Sequence, residues 1–225
     1  KNELSLNYVA KDERISEALT KLQGFGNIIL KGGTAINRVY LKNKRFSEDI
    51  DFDLVFKGSA KKAVPTTERM VGKLSGFEVA KPRIMRDVIR YDLYYTNPLR
   101  HKDRIMLEFK VVADAAHYTK IVVNFGFVPN ESALLNVYDI EELIRHKIDC
   151  IVNRTEGKDY FDLYHLISLP HRHIAWDKEA VIKRLSLSKK EVKSVANTIN
   201  HYIPRKDRPQ WNMLLKELKD TLTEY

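Results

Sequence analysis

The sequence predicts an α+β protein, with a mixed β-sheet and flanking helices in its first half and a helical bundle in its second. Three observations carry this. Ser47 to Phe56 alternates with period two, placing Asp49, Asp51, Asp53 and Val55 on one face and Ile50, Phe52, Leu54 and Phe56 on the other, the pattern of a half-buried strand. Further β-rich stretches follow at Phe77–Val79, Val88–Tyr95, Arg104–Val112 and Lys120–Phe127. From Asp139 the period changes to that of a helix, with Ile140, Leu143, Ile144, Ile148 and Ile151 on one stripe, and it remains helical to the end.

The elements can be justified in order. Ile15, Leu19 and Leu22 give an amphipathic helix over Asp12–Leu22, which Gly24 stops. Asn27–Leu30 is a short apolar strand ending in Lys31-Gly32-Gly33-Thr34, after which Ala35, Val39 and Tyr40 resume a helical stripe. A helix is expected over Thr66–Leu74. In the second half, helices are expected around Phe161–Ile167, at Trp176–Leu185, at Lys189–Tyr202 behind a Ser188 cap, and at Gln210–Leu222 behind Pro209. The boundary is set near Asn136, giving a catalytic half over 1–136 and a helical half over 137–225.

Composition narrows the class. Hydrophobic residues make up 44% of the 225 and charged residues 31%, which suffices for a core and excludes low-complexity and collagen-like chains. Thirty-nine Lys and Arg against 30 Asp and Glu leave a formal charge of +9, a field that attracts nucleotides and polyanions. Cys150 stands alone, so an internal disulfide and a cysteine zinc site are both excluded. No apolar run reaches the roughly 18 residues of a membrane span, so the expected location is the cytoplasm.

The chemistry is concentrated in two segments. Gly32-Gly33 at a strand-to-helix turn lets main-chain N–H groups approach an anion, with Thr34 as a hydroxyl donor. Asp49 and Asp51 lie about 7 Å apart on one strand face, close enough for their carboxylates to converge on one or two Mg²⁺ ions. Asp53 lies a further ~7 Å along the same face and leaves the register of the pair open. Against this stands the plain reading of a solvated acidic strand face, disfavoured because Asp is a poor strand former and the charges repel.

A glycine pair feeding a helix, then an Asp-x-Asp strand, resembles the polymerase-β-like nucleotidyltransferase superfamily. Lys31-Gly32-Gly33-Thr34-Ala35 and Arg45-Phe46-Ser47-Glu48-Asp49-Ile50-Asp51-Phe52, followed by Glu142-Leu143-Ile144-Arg145-His146-Lys147 and Lys158-Asp159-Tyr160-Phe161-Asp162-Leu163-Tyr164, are similar to the AbiEii/AbiGii toxins of type IV toxin–antitoxin and phage-defence systems. The resemblance spans about Asn27–Ser168. It implies that Asp49 and Asp51 hold Mg²⁺ (or Mn²⁺) and that a third carboxylate comes from a later strand, with Glu108 preferred and Asp103 or Asp114 as alternatives. It also implies that Lys147 and Asp159 face the nucleotide, Lys147 neutralising the triphosphate, with Asp162 one turn further on and Lys158 as an adjoining basic residue. Gly32, Gly33, Thr34, Arg45 and Ser47 complete the expected nucleotide-binding set, and the helical half is expected to complete the nucleotide cleft.

The function so implied is Mg²⁺-dependent transfer of a nucleoside monophosphate from an NTP to an acceptor hydroxyl, with RNA or tRNA as acceptor, by a toxin that has a cognate antitoxin. Two readings compete with it. One is a nucleotide- or RNA-binding module without transfer; the other is a nucleotidyltransferase that modifies a small molecule such as an antibiotic. The basic stretch Ser186–Gln210, with six Lys and Arg against two acids, reads either as a charged helical surface or as a track for an RNA backbone. His165, His171 and His173 lack a carboxylate or cysteine at ligand spacing and are read as a solvated loop.

Overall fold

The computed structural model describes residues 5–125 and 132–224. In chain order its elements are α1 (Leu6–Leu22), β1 (Ile28–Lys31), a four-residue α2 (Gly32–Ala35) running into a π-turn (Ile36–Tyr40), β2 (Ile50–Val55), α3 (Ala60–Val71), β3 (Glu78–Val79), β4 (Arg83–Met85), β5 (Val88–Thr96), β6 (Lys102–Val112), β7 (Tyr118–Asn124) and β8 (Ser132–Tyr138). Then come α4 (Ile140–Asn153), α5 (Gly157–Ile167), α6 (Lys178–Leu185), α7 (Lys189–Ile199) and α8 (Trp211–Glu224). The chain divides into two compact units, Ser5–Asp139 and Ile140 onward.

In the first unit the strands form a sheet of order β3-β5-β6-β2-β1-β8-β7, with β4 added to β5. The β2–β6 and β1–β8 pairs are parallel and the rest antiparallel. The alternation in β2 separates its two faces. Ile50, Phe52 and Leu54 are fully buried, whereas Asp49 and Asp51 are half-buried. On the apolar face Phe52 stacks on Phe109 with centroids 5.8 Å apart, and Tyr91 meets Phe109 edge-on at 6.2 Å. Helix α3 packs there, Thr67 Oγ1 lying 2.7 Å from the Tyr91 hydroxyl. Each such side chain contributes about 1.5–3 kcal/mol by leaving water.

Several boundaries differ from the sequence expectation, each for a visible reason. Helix α1 starts at Leu6, before Asp12, because Asp12 is itself buried against Arg38 of the π-turn, with Nη2 to Oδ1 at 2.7 Å. Periodicity alone treats a buried Asp as a break. Helix α3 runs through Pro65, which forfeits one main-chain hydrogen bond in an exposed turn. The expected boundary at Asn136 falls inside β8, a strand the pattern did not reveal; Asn136 is polar because its amide donates to the Gly26 and Ile28 carbonyls at 3.0 and 3.3 Å, stitching β8 to the start of β1. Phe127, the expected end of the β7 stretch, lies outside the described residues.

In the second unit the Ser188 cap is as the sequence indicates, whereas the helix expected from Trp176 starts at Lys178 behind Asp177. Ser188 and Glu191 form a reciprocal capping box on α7, and Asp177 accepts from the Ala180 N–H on α6. Gly157 opens α5 where the Val195 carbonyl of α7 leaves no room for a side chain, and its N–H donates to Thr198 Oγ1 at 3.0 Å. Burial pushes the Cys150 thiol pKa up, in keeping with an inert thiol. No helix among the described residues is long and apolar enough to cross a membrane.

Candidate active site

The end of β1 makes the first half of the site. Lys31 pairs with Asp51 in the antiparallel β1–β2 register, and the next residue, Gly32, takes a left-handed φ of +67°. A methyl group on Gly32 would overlap the Asp51 carboxylate. One on Gly33 would lie 2.5 Å from Arg45 Nη2 and 2.7 Å from Ser47 Oγ. The two glycines are therefore required by the close approach of Asp51, Arg45 and Ser47, a reason additional to the phosphate approach expected from the sequence. Asn37 ties the turn together, donating to the Gly33 carbonyl at 3.0 Å and accepting from the Arg45 N–H at 3.2 Å. Sequence reasoning missed it, since one amide within a helical stretch carries no signal of its own. Gly32→Ala is expected to strain the backbone by about 1–2 kcal/mol and displace Asp51. Transfer activity should fall at least tenfold with the fold retained, as activity and a thermal melt on the same preparation will show.

Two residues make contacts that the sequence alone does not show. Thr34 is fully buried, and its hydroxyl donates to the Asp49 carbonyl, which ties the glycine turn to the residue before β2. Asp53 is tied by Lys31 Nζ at 2.5 Å and by the Tyr138 hydroxyl, which donates to its other oxygen at 2.7 Å. Asp53 is only 4% exposed, whereas Asp49 and Asp51 are half-buried.

The candidates for a third carboxylate separate by register. Glu108 is the partner of Asp51 in the parallel β2–β6 ladder and so stands on the same sheet face one strand away. Its Oε1 accepts from Arg90 Nε at 2.5 Å, and Arg90 is its cross-strand partner on β5. Asp103 lies an odd number of residues from Glu108, on the opposite face, where the Tyr95 hydroxyl donates to it at 2.9 Å and Lys11 pairs with it at 3.2 Å. Asp114 lies beyond the end of β6, outside the ladder, and accepts from its neighbour's N–H. Among the described residues no three His, Cys, Asp or Glu side chains are gathered as a ready-made metal cage. The donor set Asp49, Asp51 and Glu108 is nonetheless all oxygen, the chemistry of a hard divalent cation, and Gly32 leaves the Asp51 carboxylate the room it needs.

The second unit holds the other expected residues. Lys147 Nζ lies 2.8 Å from both Asp159 Oδ1 and Asp162 Oδ2, and all three side chains are almost wholly buried. Arg154, which sequence reasoning missed, closes on Asp159 with Nε to Oδ2 at 2.7 Å and Nη2 to Oδ1 at 3.1 Å. Burial raises the Asp159 pKa, but Lys147 and Arg154 outweigh it and hold this carboxyl below the ordinary carboxylate range. Lys158 is more exposed and pairs with Glu156 at 3.2 Å.

The chain that carries this glycine turn, Asp-x-Asp strand and later helical pair matches the family described as nucleotidyl transferase AbiEii toxin, type IV toxin–antitoxin system, over residues 14–224. The chain belongs to the AbiEii family. Solved structures share the fold. A candidate nucleotidyltransferase from H. pylori superposes with TM-score 0.59 at 19% identity, covering 98% of each chain. MenT4, a nucleotidyltransferase toxin of Mycobacterium tuberculosis H37Rv, gives 0.60 at 18%, covering 98% of this chain and 86% of that one. An antigenic nucleotidyltransferase-like protein from Paracoccidioides brasiliensis gives 0.51 at 18%, covering 92% of each. No curated protein matches the chain at a significant level. As an AbiEii protein the chain is a nucleotidyltransferase of the toxin–antitoxin class.

Proposed function

We propose that this AbiEii protein transfers a nucleoside monophosphate from an NTP to a hydroxyl of an RNA acceptor, tRNA in particular, acting in the cytoplasm as a toxin restrained by a cognate antitoxin. The observation that carries the reading is the Asp51 carboxylate, seated against Gly32 and in register with Glu108. Asp49, Asp51 and Glu108 would hold Mg²⁺ or Mn²⁺, which when bound supplies Lewis-acid activation of the α-phosphate and of the attacking hydroxyl. The chain's own groups do the rest. Gly32 and Gly33 keep side chains out of the turn, so that Asp51, Arg45 and Ser47 converge there. Arg45, 3% exposed and with Nη1 fixed on the Phe46 carbonyl at 2.8 Å, offers a pre-positioned positive charge and Ser47 a hydroxyl for the triphosphate. The acceptor hydroxyl gives up its proton to solvent and its oxygen bonds to the α-phosphorus as the bond to the bridging oxygen breaks and pyrophosphate leaves. In the helical unit Lys147, Asp159 and Asp162 are the internal charge cluster, and Lys158 is a cation exposed enough to meet phosphate.

The test is label transfer with Mg²⁺, each α-³²P-labelled NTP in turn, and total tRNA or an aminoglycoside as acceptor, against Asp49→Ala/Asp51→Ala as control. Label is expected on tRNA from one preferred NTP and on nothing in the control. Label on the aminoglycoside alone would replace the acceptor. NTP binding that ignores Mg²⁺, with no transfer to either acceptor, would favour a binding module.

A further inference from the structure

The polar face of the sheet carries charge well beyond the carboxylates. Arg83, Arg90, Glu108, Asp51 and Lys31 are successive register partners across β4, β5, β6, β2 and β1, forming one lane over five strands. One step along, Asp92 of β5 is buried, its side chain 8% exposed, and takes two arginines on its two oxygens. Arg83 Nη2 reaches Oδ2 at 2.7 Å, and Arg104 Nη1 reaches Oδ1 at 3.4 Å. The guanidinium-bearing side chains are 54% and 51% exposed. A guanidinium has five N–H donors, so an arginine that meets Asp92 through one terminal nitrogen keeps its other donors for a ligand. Two cations on one anion leave a net positive charge.

We propose that Arg83 and Arg104, pinned on Asp92, form a two-armed fork for the phosphodiester backbone of the acceptor RNA strand. Pinning lowers the entropy lost when a phosphate is gripped, and the planar fork suits phosphate oxygens in pairs. The placement fits an acceptor and not the reacting triphosphate. Arg83 stands three inter-strand spacings from Asp51, about 14 Å, and Arg104 lies about 13 Å along β6 from Glu108. An RNA strand whose terminal hydroxyl reaches Asp49 and Asp51 can run back across this face, which the apolar side of the sheet, closed by α3, cannot offer. The proposal rests on the RNA-acceptor reading, but it is tested by binding, without transfer.

The experiment measures the anisotropy of a fluorescein-labelled 12-nucleotide single-stranded RNA over a range of salt concentrations. Arg83→Gln and Arg104→Gln should each weaken binding about tenfold and make the salt slope shallower by about 0.7. Lys61→Gln, an equal loss of charge on α3 behind the sheet, should change neither. Because removing both arginines would strand a buried carboxylate, the combined variant is Arg83→Gln/Arg104→Gln/Asp92→Asn, expected to melt near wild type and to bind weakest of all. Wild-type affinity in the arginine variants, or an equal loss in Lys61→Gln, would overturn the proposal. So would a raised KM for NTP with RNA affinity unchanged, because the fork would then serve the nucleotide. A wild-type protein that binds RNA through these arginines but labels only a small molecule would sink the acceptor reading and leave the fork standing.

Discussion

Asp51→Asn is expected to leave the protein folded while lowering nucleotidyl transfer by at least about a hundredfold, because it removes a carboxylate that would hold the divalent cation stabilising the transition-state charge. The substitution is isosteric, and Asp51 is half-buried at the start of a strand whose apolar face carries the packing. What changes is one carboxylate charge on the side that Gly32 leaves open. Asp53→Asn is the informative comparison, two residues along the same face. Asp53 answers Lys31 and Tyr138, so its variant should melt earlier and lose activity only in proportion to the folded fraction. Label transfer and a thermal melt on both variants separate the roles. An Asp51→Asn protein with wild-type turnover would remove Asp51 from the chemistry, and an Asp53→Asn protein that is stable but inactive would move the pair one step along β2.

The two halves of that comparison also show how far the sequence could be read. Alternation located β2 and both of its faces, because a period of two needs only local residue types. It could not show that Asp53 meets Lys31 and Tyr138, the latter 85 residues away in sequence. Glu108 was singled out as a lone acid in a strand, and only the β2–β6 register explains why it, and not Asp103, shares a face with Asp51. Thr34 follows two glycines, and the contact of its hydroxyl with the Asp49 carbonyl, made where the chain returns, is one that local pattern does not show. The β8 strand was invisible because Asn136 interrupts it, and that amide is polar for the sake of main-chain carbonyls elsewhere. Local pattern thus gave element types, while partners distant in sequence decided the duties of the polar residues.

The same lesson gives the largest expected effect on stability. Lys147→Met should destabilise the helical unit by about 3–5 kcal/mol, because it leaves Asp159 and Asp162 buried without the ammonium that answers both. Arg154 compensates Asp159 in part. The cluster also sets an acid limit. The Asp159 pKa is depressed, Lys147 and Arg154 together outweighing its desolvation, so its contribution is fully present above the unfolded-state value near 3.9 and is lost as pH falls below that toward the folded value. Urea melts at pH 7 and pH 3 should therefore show the wild type losing stability in acid, and Lys147→Met losing less of it, having less to lose. Lys147→Met/Asp159→Asn/Asp162→Asn, which removes the charges together, should recover part of the difference at pH 7. Were Lys147→Met as stable as wild type but unable to transfer label, the lysine would belong to the nucleotide and not to the core.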